Sequence, residues 1–145
     1  MKFFFLEARI SVWLARPVQL PKSHAEYYCQ RNSGVLYVPR AQPKQGEFKR
    51  LYQTLGLSFD QRVHLGLTQI GFTNFDGIRV PVLKDDLGLK VPQWINRFSR
   101  QLFSRSYKYE YLPYVVLKGG KMFLISRNTN AYAVCVSLPE GFKII

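Results

Sequence analysis

Acid is scarce in this chain of 145 residues. Nine Asp and Glu stand against 21 Lys and Arg, a formal net charge of +12 and a pI near 10.0. Histidine is equally sparse, with only His24 and His64, far apart in the chain. A HExxH helix, a GxSxG elbow and a P-loop are all missing, and Gly119-Gly120-Lys121 lacks the spacing a phosphate loop needs. Asp85 and Asp86 are adjacent in a turn, so their side chains point apart and do not pair as an acid and a base. Nothing assembles an acid, a base and a nucleophile, which argues against an enzyme, and no cofactor or metal is expected.

Cysteine is also rare. Cys29 and Cys135 lie 106 positions apart, with no CxxC and no Cys/His cluster. That pattern is neither a disulfide framework nor a zinc site, so both thiols are expected as small apolar core residues in a reducing compartment. No window approaches the ~20 apolar residues of a membrane span. The opening MKFFFLEARISVWLARPVQL is apolar, but Glu7 and Arg9 interrupt it early, which fits a signal peptide poorly. The chain reads as soluble and mature.

What is present is core material and positive charge. Hydrophobic residues make up 47% and aromatics 15%, enough for a folded domain. The stretch from Phe3 to Arg16 is densely apolar with a narrow polar stripe, ends at Pro17, and is expected as a helix. Residues 17–33 hold two prolines and a polar end, expected as a long loop with one helical turn. Gly34 to Pro39 reads as a short strand. In EFKRLYQTLGL, Phe48, Leu51, Tyr52 and Leu55 fall at i, i+3, i+4 and i+7, a helix face closed by Gly56. RVHLGLTQIGF fits a strand or a continued helical hairpin. DGIRVPVL and DDLGLKVP suggest a strand hairpin, and KMFLIS and AYAVCVSL two more strands. Around Tyr107, Tyr109 and Tyr111 the alternation is that of a strand. The fold class expected is α+β: a small N-terminal helix/strand domain over 1–92, carrying insertions near 17–33 and 56–69, followed by a basic, mostly β C-terminal domain over 93–145.

The charge is concentrated in the second part. From Lys90 to Arg127 eight basic residues meet one acid, Glu110, a net +7 in 38 positions. Arginine and lysine neutralise phosphates, and Arg planes and Tyr rings stack on unpaired bases, so a polyanion, nucleic acid first, is the partner this composition suggests. The polar Arg127 to Asn130 segment either reads the shape of a folded RNA or is a plain hairpin turn.

INRFSR, then LP, VVLKGG, a strand and the polar SRNTN loop together resemble the small-subunit ribosomal protein eight family. GIRVPVLKDDLGLKVP is similar to that family's central hairpin and EARISVWLAR to its first helix. The SRNTN loop departs from the family's Ser-Thr-Ser-x-Gly, and the family's last strand is not recognisable. The resemblance implies a structural constituent of the small ribosomal subunit, in a mitochondrion or else a cytoplasmic or plastid ribosome. Its partners would be small-subunit rRNA and neighbouring ribosomal proteins, with no membrane and no small-molecule substrate. The implied RNA contacts are Ser99, Arg100, Arg105, Lys108, Lys121, Ser126, Arg127, Asn128, Thr129 and Asn130. The competing expectation is a basic scaffold subunit of a membrane-associated complex. An RNA-processing enzyme stands only if carboxylates cluster in space.

Overall fold

The computed structural model of the chain describes residues 3–7, 10–75, 77–95 and 112–137. The order is β1 (Phe3–Glu7), β2 (Ile10–Leu20), α1 (Lys22–Arg31), β3 (Gly34–Leu36), α2 (Glu47–Leu55), β4 (Val63–Phe75), β5 (Ile78–Asp85), β6 (Tyr114–Lys118), β7 (Lys121–Ile125) and β8 (Ala131–Ser137). The α+β class is as the sequence implies. All eight strands join one sheet along the path β1-β2-β8-β4-β6-β7, with β3 also on β8 and β5 also on β4.

β8 is the hub. It runs antiparallel to β2 along one edge, from Val12 opposite Val136 to Leu20 opposite Ala131. Along the other edge it meets β3 through Val35 opposite Val136, and β4 in parallel at Val63 opposite Tyr132. The chain between β3 and β4 continues the seam, since Tyr37 N–H donates to Val134 O and Gly66 N–H to Tyr37 O.

This centre is covered on both faces. On β2 the consecutive residues Val12 and Trp13 are both buried. Val12 joins the larger core of Leu51, Tyr52, Leu55, Leu65, Leu117 and Val134, under α2. Trp13 joins Ala25, Cys29, Leu36, Ala133 and Cys135, under α1. Strand neighbours point to opposite faces, so the two helices lie on opposite sides of the sheet. A strand buried on both faces carries no polar alternation, and its dense apolar run is indistinguishable from a buried helix by period. The helix expected over Phe3 to Arg16 is therefore two strands, β1 and β2.

The loop expected over 17–33 is mostly α1. Its buried stripe is Lys22, Ala25 and Cys29, too small and too polar to announce a 3.6-residue hydrophobic period. α2 forms where expected, burying Leu51, Tyr52 and Leu55, with Gly56 at its C-cap. RVHLGLTQIGF is strand, and its hairpin partner is β5. DDLGLKVP is not a second strand; it leaves β5 in a turn where Gly88 N–H bonds Asp85 O. The strand expected around Tyr107 lies outside the described residues.

Cys29 and Cys135 form a disulfide, with Cα atoms 5.4 Å apart. The expectation of free thiols in a reducing compartment is corrected: sequence distance hid that α1 packs flat against β8. The bridge ties α1 to the hub strand and indicates an oxidising compartment. Beside it β3 approaches closely, and a Cβ on Gly34 would stand 2.6 Å from the Trp13 ring. Only glycine lets strand and indole meet there.

Candidate functional site

Two hollows open side by side above the β3 end of the sheet. The larger, about 120 Å³, has apolar walls from Val35, Leu36, Val38, Phe48 and Leu51, with Glu47 and Ser137 at its margin. The smaller, about 100 Å³, lies between α1 and the turn after β5, with Glu26, Gln30, Asp85 and Asp86 around it. Arg40 lines both.

Arg40 is held from beneath. Its Nη1 lies 2.7 Å from Oδ2 of Asp85, whose side chain is wholly buried while that of Arg40 is about one-third exposed. The other carboxylate oxygen, Oδ1, accepts the Leu87 N–H at 2.8 Å. A buried carboxylate thus fixes an arginine at the surface, reducing the entropy that a bound ligand would otherwise have to remove. The segment carrying Arg40 is pinned as well, because Trp94 Nε1 donates to Pro39 O at 2.8 Å. Gly66 permits the close approach of β4 below, where a Cβ would meet Leu36 O at 3.0 Å.

A second ionic knot anchors the start of α1. Lys22 is 2% exposed, and its three N–H bonds reach Leu67 O at 2.9 Å, Thr68 Oγ1 at 3.2 Å and Asp86 Oδ2 at 2.8 Å. Thr68 Oγ1 donates in turn to Asp86 Oδ1 at 2.6 Å, and the ammonium sits 4.6 Å from the centre of the Tyr114 ring. Asp85 and Asp86 do diverge: one serves Arg40, the other Lys22. Burial pushes the Glu26 carboxyl up, partly offset by Lys22 and reinforced by Asp86. Among the described residues no three His, Cys, Asp or Glu side chains gather where a metal ion could be held.

His64 is structural, and its environment dictates a pH response. It is fully buried, with Nε2 2.6 Å from Leu20 O and Nδ1 without a hydrogen-bond partner. The carbonyl requires Nε2 to carry the proton. Burial, with Lys22 and Arg62 nearby, lowers its pKa to about 4, against the opposing effect of the Leu20 carbonyl. The unfolded chain therefore binds a proton near pH 6.5 that the folded chain refuses until about pH 4. Stability should be complete above pH 6.5 and fall across that window, at up to ~1.4 kcal/mol per pH unit. Urea midpoints at pH 7 and pH 5 for wild type and His64→Gln check this; an equal drop in both would assign it to other groups.

Of the residues expected to touch RNA, six are described, at the two ends of β7. Lys121 pairs with Lys118 across the turn of the β6–β7 hairpin, both exposed. Ser126 to Asn130 lie at the far end of β7, roughly 15 Å away along the strand. That loop closes on itself, with Thr129 N–H bonding Ser126 O and the two hydroxyls 2.9 Å apart. It is fastened below by Arg62 Nε donating to Asn130 O at 3.1 Å. Ser99, Arg100, Arg105 and Lys108 lie outside the described residues.

No family model matches the chain, and no curated protein is similar to it in sequence. Solved structures do match. The Kupffer cell C-type lectin receptor Clec4f, described as trimeric, superposes with a TM-score of 0.62 at 14% identity, over 97% of this chain and 85% of that one. The C-type lectin domain of murine dendritic cell inhibitory receptor 2, solved with an N-glycan, gives 0.60 at 10% identity, over 93% and 94%. Natural killer cell receptor Ly49C gives 0.60 at 12% identity, over 99% and 98%. The fold is C-type lectin-like.

That finding overturns the resemblance to the small-subunit ribosomal protein eight family, and with it the small-subunit rRNA and ribosomal-protein partners and the mitochondrial, cytoplasmic or plastid ribosome location. The membrane-complex scaffold has no support either. Of EARISVWLAR, matched to a helix, Glu7 and residues 10–16 are strand, while LP followed by VVLKGG is an ordinary strand ending in a glycine turn. Shared spacing of such generic pieces carried no topology. All three neighbours are receptors by name. Among the described residues no helix is long and apolar enough to cross a membrane.

Proposed function

We propose that this chain is a recognition domain that binds a macromolecular ligand non-covalently in an oxidising compartment. The observation carrying this is the Arg40–Asp85 clamp set between an apolar-walled hollow and a smaller, more polar one on a C-type lectin-like fold. The larger hollow, about 120 Å³, is well below the 300 Å³ or more typical of small-molecule sites. Its size suits one protruding group of a larger partner, with Arg40 receiving an acceptor beside it. The disulfide and the receptor neighbours, one of them described in complex with an N-glycan, support the same reading.

The test is capture of ligand by the oxidised, biotinylated chain, displayed as a tetramer on glycan arrays and on arrays of cell-surface proteins. Ala41 is exposed and lines the larger hollow, so Ala41→Trp fills the cleft without disturbing the core. Wild type should retain a ligand that Ala41→Trp and Arg40→Glu bind at least tenfold more weakly. Undiminished binding by Ala41→Trp would move the site elsewhere. Absence of any retained ligand would end the proposal.

A further inference from the structure

The outer face of α1 carries a row of side chains that neither the cleft nor the core uses. Tyr27 and Tyr28 meet edge to face, ring centres 5.5 Å apart. The Arg16 guanidinium from β2 lies 5.0 Å from the centre of the Tyr28 ring, and that of Arg31, in the last turn of α1, 5.8 Å from Tyr27. The row reads Arg16, Tyr28, Tyr27, Arg31, and Tyr27 is 56% exposed. Among the described residues neither arginine has a carboxylate partner. The only acid of α1, Glu26, faces the other way, interacting with Lys22 and Asp86 and lining the smaller hollow.

We propose that this row binds a sulfated polysaccharide. Each guanidinium offers a planar fork that fits a sulfate bidentately. Stacked on tyrosine, it is already oriented and has less freedom to lose on binding. The exposed Tyr27 ring between the arginines, braced edge to face by Tyr28, supplies an apolar surface, which suits the C–H face of a pyranose ring. A bare phosphate or an acidic peptide would leave that surface unused. The disulfide places the chain in an oxidising compartment, outside the cytosol, where the anionic polymers encountered are sulfated glycans more than nucleic acids. The net charge of +12 draws any polyanion toward the domain, but only the row distinguishes one.

The experiment is binding of the oxidised chain to immobilised heparin at physiological salt. It compares wild type with Arg16→Ser/Arg31→Ser, with Tyr27→Ser, and with Lys49→Ser/Arg50→Ser. The last pair removes the same charge from exposed positions on α2. Circular dichroism and an intact disulfide confirm folding of each variant. Affinity should fall at least tenfold for the Arg16/Arg31 pair, several-fold for Tyr27→Ser, and less than twofold for the α2 pair. Desulfated heparin should not compete. Equal losses for the two charge pairs would overturn the proposal in favour of diffuse attraction. So would single-stranded DNA or an acidic protein competing as well as heparin does. Ala41→Trp should bind heparin normally, so failure here and failure of the cleft are separable.

Discussion

Removing the Cys29–Cys135 bridge is expected to lower stability by about 4 to 5 kcal/mol. The two cysteines are 106 positions apart, and closing a loop of ~100 residues in the unfolded chain is worth ~4.7 kcal/mol in chain entropy. Domains of this size have ~5 to 15 kcal/mol in total, so the reduced chain should sit near the edge of folding. Cys29→Ala/Cys135→Ala is the variant to use, because both positions are fully buried and serine would add two hydroxyls to that pocket. Urea unfolding of wild type, oxidised and reduced, alongside this variant should give one high and two low midpoints. Equal midpoints for the oxidised and reduced protein would show that α1 is held to β8 by packing alone.

The second large effect lies at Lys22. Asp86→Ala should cost about 3 kcal/mol, since it leaves an ammonium with 2% exposure facing Leu67 O, Thr68 and the Tyr114 ring without its ion-pair partner. The cost arises mainly from the stranded charge and not from the lost attraction. Adding Lys22→Met to Asp86→Ala should therefore restore much of it, because the methionine stem fills the same channel without a charge. A thermodynamic cycle over the two positions, read by urea midpoint, measures this. A cost below 1 kcal/mol for Asp86→Ala would mean the pair behaves as a surface ion pair, with water reaching Lys22.

These two sites also show why the sequence was only partly legible. α2 could be read because Leu51, Tyr52 and Leu55 face one core from a helix otherwise polar, which is the situation hydrophobic periodicity reports. β7 and β8 could be read because short apolar runs bounded by turn residues are strands in most contexts. α1 could not, because what it buries is a lysine, an alanine and half of a disulfide. A lysine that is paired in space looks like a surface residue in sequence. β2 was misread for the opposite reason: Val12 and Trp13 serve two cores at once, and the polar face that reveals a strand is missing.

The cleft was invisible for a related reason. Arg40, Glu26, Phe48, Asp85 and Ser137 come from five separate parts of the chain, and no local spacing joins them. The positive charge was plain, but its meaning depended on compartment, and compartment depended on a pairing 106 positions long. With the cysteines read as free thiols, basic residues pointed to nucleic acid. With the disulfide in place, the same charge faces a different set of polyanions. The one local hint was Tyr27-Tyr28 followed by Arg31 on a single helix, a spacing that sets a ring under a guanidinium.

The hub position of β8 governs when the molecule can come into being. During synthesis β2, β3 and β4 emerge first, yet the edge of each that β8 fills stays open until residues 131–137 arrive. Pairings of such wide sequence separation form slowly, because the chain must be closed over long distances before any contact rewards it. The nascent protein therefore waits with exposed strand edges and an unpaired Cys29, open to aggregation or to the wrong thiol. Native closure of the Cys29–Cys135 bridge only once β8 has docked follows from the topology.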